Sequence, residues 1–141
     1  MSLAMSPAER ENFLADMHVG VLSIPDGDRG PLSAPIWYDY TPGGELWMII
    51  GTDSRKARAL RSAQRVSLVA QQEAMPYRYV SVEGTVVSQA PCAPGELLAM
   101  AQRYLGPEQG QAYADASSGN SYTVRVRPER WLTVDYGKMG A

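Results

Sequence analysis

The stretch Gly51-Thr52-Asp53-Ser54-Arg55-Lys56-Ala57-Arg58-Ala59-Leu60-Arg61 gathers the side chains whose types and spacing bear most directly on chemistry. It follows an apolar run, Leu46 to Ile50, that reads as a buried strand. Ser54 is a good helix N-cap, so Arg55, Lys56 and Ala57 form the first turn, whose backbone N–H groups lack intrahelical partners. Unpaired amides at the positive end of the helix dipole make such a turn an anion site. Two cations there are unfavourable for the helix alone, and a bound phosphate would offset them. The alternative is a solvated basic helix start with Asp53 as its counter-charge.

Other reactive residues are sparse. His18 is the only histidine and Cys92 the only cysteine, so no Ser-His-Asp, Cys-His or four-ligand zinc arrangement can be assembled without them. His18 reads as a structural or surface residue at a strand start, and Cys92, between two prolines, as a free thiol. No metal site is expected. Tyr77-Arg78-Tyr79 could stack on an aromatic ligand, although strands favour tyrosine in any case. Arg78, in a mid-sheet context, calls for a partner.

The chain that must position these groups has 141 residues, 45% hydrophobic and 20% charged, and a net charge of −2. That is the composition of one globular domain over residues 1–141 with a core of its own. The acidic balance argues against a nucleic-acid partner, which would call for a basic stripe. No apolar run has the roughly 18 residues of a membrane helix. Met1 to Met5 is too short for a signal peptide's apolar region, and a lone cysteine suits a reducing compartment, so a cytoplasmic protein is expected.

In chain order, Ser6-Pro7-Ala8-Glu9 is a capping box opening a helix to about Asp16. His18–Ile24 reads as a strand ending in the turn cluster Pro25–Gly30. Leu32, Ala34, Ile36 and Tyr38 alternate with Ser33, Pro35, Trp37 and Asp39, a period-2 strand that Pro35 confines to an edge or a bulge. Thr41-Pro42-Gly43-Gly44 turns this strand back into Glu45–Ile50. Arg65–Gln72 and Tyr77–Ser88 are further strands, and Gly84 within the second marks a bulge or barrel corner. Leu97, Leu98, Ala101, Tyr104 and Leu105 form a helical stripe ended by Gly106-Pro107, and Glu108–Ala116 reads as a weaker helix. After the loop Ser117–Asn120, Tyr122–Val126 and Trp131–Tyr136 read as two strands separated by Pro128. Six to seven mostly antiparallel strands with few helices make a mainly β barrel or sandwich with helical decoration.

These residues also carry a resemblance. Ser54-Arg55-Lys56-Ala57, after an apolar strand and before Leu60 and Arg65-Val66-Ser67-Leu68, resembles the flavin-phosphate segment of pyridoxamine 5′-phosphate oxidase. Val80-Ser81-Val82-Glu83-Gly84-Thr85-Val86 resembles a later strand of that family, ending in its Val-Glu-Gly motif. Ser33-Ala34-Pro35-Ile36-Trp37-Tyr38 and Glu129-Arg130-Trp131 are similar to segments of the actinobacterial flavin and deazaflavin oxidoreductases of the same superfamily. The likeness spans about residues 10–136. It implies a split β-barrel, a homodimer with cofactor sites at the subunit interface, and FMN or the deazaflavin coenzyme F-420 as cofactor.

By that resemblance, Arg55 and Lys56 contact the cofactor phosphate, with Ser54 adding its hydroxyl or capping the helix below. Ser33, Pro35, Ile36 and Trp37 lie where the family lays the isoalloxazine ring along strand backbone. Ile49 and Ile50 fall before the phosphate segment and would contact ligand through backbone, and Arg78 and Tyr79 complete the expected set. Tyr79 stands where the oxidase has a flavin-contacting glutamine, and the C-terminal half lacks the oxidase's run of substrate-binding arginines. The implied activity is therefore hydride or electron transfer to a small organic substrate. Alternatives are a pyridoxamine phosphate oxidase-like enzyme or a non-catalytic flavin or haem carrier of this fold. Arg58, Arg61 and Arg65, read as a basic track, favour the polyglutamate-tailed F-420 over FMN. Trp37, Trp47, Tyr79 and Trp131 are expected to remain exposed on a monomer and to be covered in a dimer.

Overall fold

The alternating stretches assemble into one antiparallel sheet. The computed structural model describes residues 2–117 and 119–140; Met1, Ser118 and Ala141 lie outside them, so the Ser117–Asn120 loop expectation falls partly outside the described residues. The strands are β1 (Gly20–Asp26), β2 (Arg29–Ile36), β3 (Asp39–Tyr40), β4 (Leu46–Gly51), β5 (Arg65–Gln72), β6 (Arg78–Pro91) and β7 (Ser121–Asp135). Their order is β2-β1-β5-β6-β7-β4-β3. Helices α1 (Pro7–Ala15), α2 (Arg55–Leu60), α3 (Glu96–Leu105) and α4 (Pro107–Ala116) decorate it. This is the expected mainly β split barrel, with seven strands.

The two ends of the sheet, β2 and β3, are consecutive in sequence, so the sheet must curl until they meet at Trp37–Tyr38. Inward side chains fill the barrel: Leu22, Ile24, Tyr38, Met48, Ile50, Leu68, Val80, Val82 and Val124 are each at most 2% exposed. Leu14 of α1 and Leu60 of α2 plug its ends, both fully buried. The α1 capping box forms as expected, with Ser6 Oγ accepting from the Glu9 N–H and the Glu9 carboxylate accepting from the Ser6 N–H. Among the described residues no helix is long and apolar enough to cross a membrane.

Several boundaries differ from expectation. β1 begins at Gly20 and runs through Pro25, leaving only Gly27-Asp28 as the turn, because Gly27 adopts φ +59° and closes a tight hairpin. His18 therefore precedes the strand. The alternating stretch to Tyr38 leaves the ladder at Ile36 and resumes as β3. β6 continues past Ser88 to Pro91. Glu108–Ala116 is a full helix started by Pro107 at its first position, where proline costs no hydrogen bond.

Pro128 does not break the chain. Tyr122–Val126 and Trp131–Tyr136 belong to one strand, because Pro128 lies opposite Gly84 at a register shift. Glu83 pairs with Arg130 and Gly84 with Pro128, so Glu129 is the extra residue of a bulge. β4 pairs with β7 only up to Val126, which leaves the other edge at Pro128 without a ladder to disrupt. Gly84 is thus the bulge glycine the sequence indicates.

The helical hairpin α3–α4 is tied down by side chains. Glu96 accepts from Thr123 Oγ1 at 2.8 Å and pairs with Arg125 at 2.5 Å on β7. At the other end, Arg103 donates to the carbonyls of Tyr38, Ala15 and Asp16 and pairs with Asp39. Tyr104 stands where β2 leaves the ladder: its hydroxyl accepts from the Tyr38 N–H at 3.1 Å and lies within donating distance of the His18 and Tyr38 carbonyls. Tyr104→Phe should cost about 1–2 kcal/mol by leaving that partly buried N–H without a partner. Urea unfolding checks this, and a midpoint equal to wild type would mean the hydroxyl bears no structural role.

Candidate functional site

Two strand edges diverge from the Trp37–Tyr38 corner. β3 and β4 pair only at Asp39 with Trp47 and at Tyr40 with Leu46. Continuing that register would set Trp37 opposite Ile49 and Ile36 opposite Ile50, and neither pair forms. β2 is hydrogen-bonded on one side only, to β1, and Met48–Gly51 on one side only, to β7. The result is a wedge lined by free strand edges along Arg29–Ile36 and Met48–Ile50. Helix α2 packs against β1 and β4 and closes its wide end.

Side chains around the wedge point both ways. Ile36 and Ile50 turn into the core, so only their backbone borders the wedge, while Ser33 and Pro35 are exposed. Ser33 Oγ shares a 2.9 Å hydrogen bond with Ser23 Oγ. Trp37 is half-buried and stacked on Tyr104, ring centroids 5.0 Å apart and 6° from parallel, with Tyr113 tilted against it at 5.4 Å. Sequence reasoning does not single out this tyrosine pair, since nothing in α3 or α4 indicates that they reach Trp37, just past β2.

At the wide end, Ser54 caps α2 as expected. Its Oγ accepts from the Ala57 N–H at 3.1 Å and donates to the Gly51 carbonyl at 2.8 Å, so the hydroxyl is fully used in holding the turn. Arg55 pairs with Asp26 at 3.1 Å through one nitrogen, in place of the Asp53 counter-charge. Lys56 is half-buried and has no hydrogen-bond or ion-pair partner among the described residues. Arg55 and Lys56 side by side at the positive end of the helix repel each other and the dipole, which marks a place where a negative group would be favoured. Arg55 and Arg58 share a pocket of about 250 Å³ with Arg29 and Asp26 from the β1–β2 turn. Arg29 and Asp26 escaped notice because only the fold brings that turn beside α2.

The basic track is divided. Arg58 stays beside Arg55, but Arg61 faces a different cavity. Arg65 is held by Glu83 at 2.6 Å and Glu129 at 2.7 Å, on the far side of the bulge. These carboxylates satisfy its guanidinium, so it is no free cation.

Arg78 and Tyr79 lie away from α2. Arg78 pairs across the sheet with Gln72 and Asp135, at the opposite end of β1 from Asp26, roughly 20 Å away at ~3.3 Å per residue. It ends the sheet rather than crossing its middle, and its partners are the Gln72 side-chain oxygen at 2.6 Å and the face of Phe13. Its Nε is buried with no partner among the described residues. Tyr79 is half-buried beside Gln71 and Val134.

His18 is structural here. Its ring stacks on Phe13 at 4.4 Å, and Nε2 must carry a proton, because it meets the Phe13 carbonyl at 3.1 Å. Burial pushes its pKa below the ordinary histidine value, partly offset by that hydrogen bond. Among the described residues no group of three or more His, Cys, Asp or Glu side chains could hold a metal.

Comparison with known proteins matches this fold throughout. The profile of the pyridoxamine 5′-phosphate oxidase family covers residues 6–135. A conserved hypothetical protein of Mycobacterium tuberculosis is 27% identical, superposes with a TM-score of 0.79, and covers 99% of this chain and 90% of its own. An F420 reductase superposes at 0.71 with 23% identity, over 86% of this chain and 94% of its own. An FAD-binding protein of Mesorhizobium loti gives 0.66 with 21% identity, over 92% of this chain and 93% of its own. No curated protein matches the chain. With a profile match over residues 6–135, the chain belongs to the pyridoxamine 5′-phosphate oxidase family.

Proposed function

We propose that this chain is an oxidoreductase that binds F-420 or FMN in the wedge and passes hydride or electrons to a small organic substrate. The observation that carries the reading is Lys56: half-buried and unpaired, beside Arg55, at the end of two free strand edges. Arg55 and Lys56 hold the phosphate; the backbone of Ser33–Trp37 and of Ile49 and Ile50 offers hydrogen bonds to a flat, polar-edged ring. The cofactor, when bound, supplies the redox chemistry that no side-chain constellation of this chain provides. Trp37, braced by Tyr104, shields the narrow end from water.

Arg29 and Arg58 beside Arg55 suit a tail with several negative charges, which favours F-420, whereas FMN requires only Arg55 and Lys56. The haem-carrier reading is weakened by His18, the only imidazole, whose Nε2 is committed to the Phe13 carbonyl. Titration of the purified protein with FMN and with F-420, followed by fluorescence, tests the proposal. Saturable binding of either supports it, and binding of neither refutes it. The similarity to an F420 reductase favours F-420 as the tighter ligand.

The same proposal includes a homodimer, for reasons other than those drawn from sequence. Trp37, Trp47, Tyr79 and Trp131 are half-buried rather than exposed, because Tyr104, Arg125 and Arg10 pack on the three tryptophans. The outer sheet face supplies apolar surface instead. Cross-strand pairing aligns Pro35, Val21, Val69, Ser81 and Leu132 in one row, with Val21 39% and Leu132 62% exposed. Such a row suits a second copy of the same face. Sedimentation is expected to give a dimer at micromolar concentration, and Leu132→Glu a monomer; a monomeric wild type would remove this part of the proposal.

A further inference from the structure

We propose that a second cavity, on the β7 side of β4, is a binding site for a small organic carboxylate with an aromatic or compact apolar body. The cavity measures about 490 Å³, within the range of small-molecule sites. It is bounded by the end of β4, the end of β6, the start of β7 and the last turn of α2. The cavity is lined from Thr52, just past β4, and from β6 and β7, whereas the wedge opens on the edge of β4 that β7 does not cover. This inference stands apart from the cofactor reading.

Its chemistry is specific. Arg61 reaches the cavity from the C-cap of α2 and has no ion-pair partner among the described residues. No aspartate or glutamate is among the described residues that line it. Tyr122, half-buried with its ring against the core, sits close enough to Arg61 to feel its charge. Burial raises the phenol above its ordinary value and Arg61 only partly offsets this, so at neutral pH the hydroxyl keeps its proton and can donate. Gln89 spends its amide N–H on the Leu60 carbonyl at 3.0 Å and fixes one wall. The Thr52 N–H donates to the Asn120 carbonyl at 3.1 Å, which closes the cavity's outer side. Pro91 and the Tyr122 ring give an apolar floor.

A planar guanidinium binds a carboxylate through two parallel hydrogen bonds, and the phenol adds a third donor. One cation with an apolar floor matches a monoanion attached to a ring or short hydrocarbon. A phosphate dianion is better served beside α2, where Arg29, Arg55 and Arg58 share a pocket.

The test is a calorimetric titration of the full chain with benzoate, benzyl alcohol and inorganic phosphate. Benzoate is expected to bind saturably, and the alcohol and phosphate at least tenfold more weakly. Arg61→Gln should weaken benzoate at least tenfold, and Arg61→Lys, which keeps the charge but loses the two-pronged geometry, by an intermediate factor. Tyr122→Phe should weaken it several-fold, and Arg55→Ala should leave it unchanged. Circular dichroism confirms that each variant is folded. The proposal is overturned if benzoate fails to bind, if phosphate binds equally well, or if both Arg61 variants bind benzoate like wild type. It is also overturned if FMN displaces benzoate competitively, which would place both ligands in one site.

Discussion

Replacing Gly84 with alanine is expected to lower the thermal midpoint by about 10 °C, from a destabilisation of about 3 kcal/mol. The cause is local and steric. A Cβ at Gly84 would stand 2.1 Å from the Arg127 carbonyl oxygen and 2.9 Å from Val126 Cγ1. A side chain could rotate away from such a clash, but a backbone oxygen moves only with its strand. The strand here is β7, whose pairing with β6 shifts register at this glycine. Displacing it also disturbs Glu129, which bridges Arg65 at 2.7 Å and Thr85 at 2.6 Å across the bulge. Gly30→Ala is the control, since a Cβ there meets nothing within 4 Å. It should fall within about 0.5 kcal/mol of wild type, as surface changes usually do. A Gly84→Ala variant melting within a degree or two of wild type would mean that β7 does not approach β6 as described.

That glycine also shows what the chain discloses on its own. A lone glycine in a valine-rich run is a local signal, and it marks the bulge correctly. The Ser6 and Ser54 caps and the inward faces of β2 and β5 are local in the same sense, decided within a few residues by hydrogen bonding or by period-2 alternation. Pro128 misleads for the opposite reason. Whether a proline ends a strand depends on which edge is paired, and β4 stops at Val126 on the other side of the sheet. The site divides along the same line. Ser54, Arg55 and Lys56 are adjacent in sequence and could be read together. Asp26, Arg29, Tyr104 and Tyr113 reach the wedge only through tertiary packing, and no spacing announces them. The supposed track of Arg58, Arg61 and Arg65 is correct as helix-face arithmetic for its first two members. It fails because Arg58 and Arg61 line different cavities and because Arg65 begins a new strand with two carboxylates holding it.

Arg55→Ala is expected to weaken FMN or F-420 binding by roughly ten- to a hundredfold, since a charge-assisted hydrogen bond contributes on the order of 1.5–3 kcal/mol. In the free protein Arg55 is held by Asp26 through a single 3.1 Å contact, with more than half of the arginine side chain exposed. An exposed pair of that kind stabilises the fold by about 0–1 kcal/mol, so a phosphate can take the guanidinium over at little cost. Asp26 is therefore a competitor for the clamp, and Asp26→Asn should tighten phosphate-bearing ligands several-fold. Lys56→Ala should act in the same direction as Arg55→Ala, with a smaller effect because an ammonium is a point charge without the guanidinium's fork. Both cations stand at the unfavourable positive end of the helix, which offsets the small contribution of the Arg55–Asp26 pair, so thermal stability should change by no more than about 1 kcal/mol when either is removed. Riboflavin, which lacks the phosphate, separates a clamp from a structural support. It should bind wild type, Arg55→Ala and Asp26→Asn alike. If Arg55→Ala lost riboflavin together with FMN, Arg55 would be shaping the wedge through Asp26 and the β1–β2 turn, and the phosphate would have to be held elsewhere.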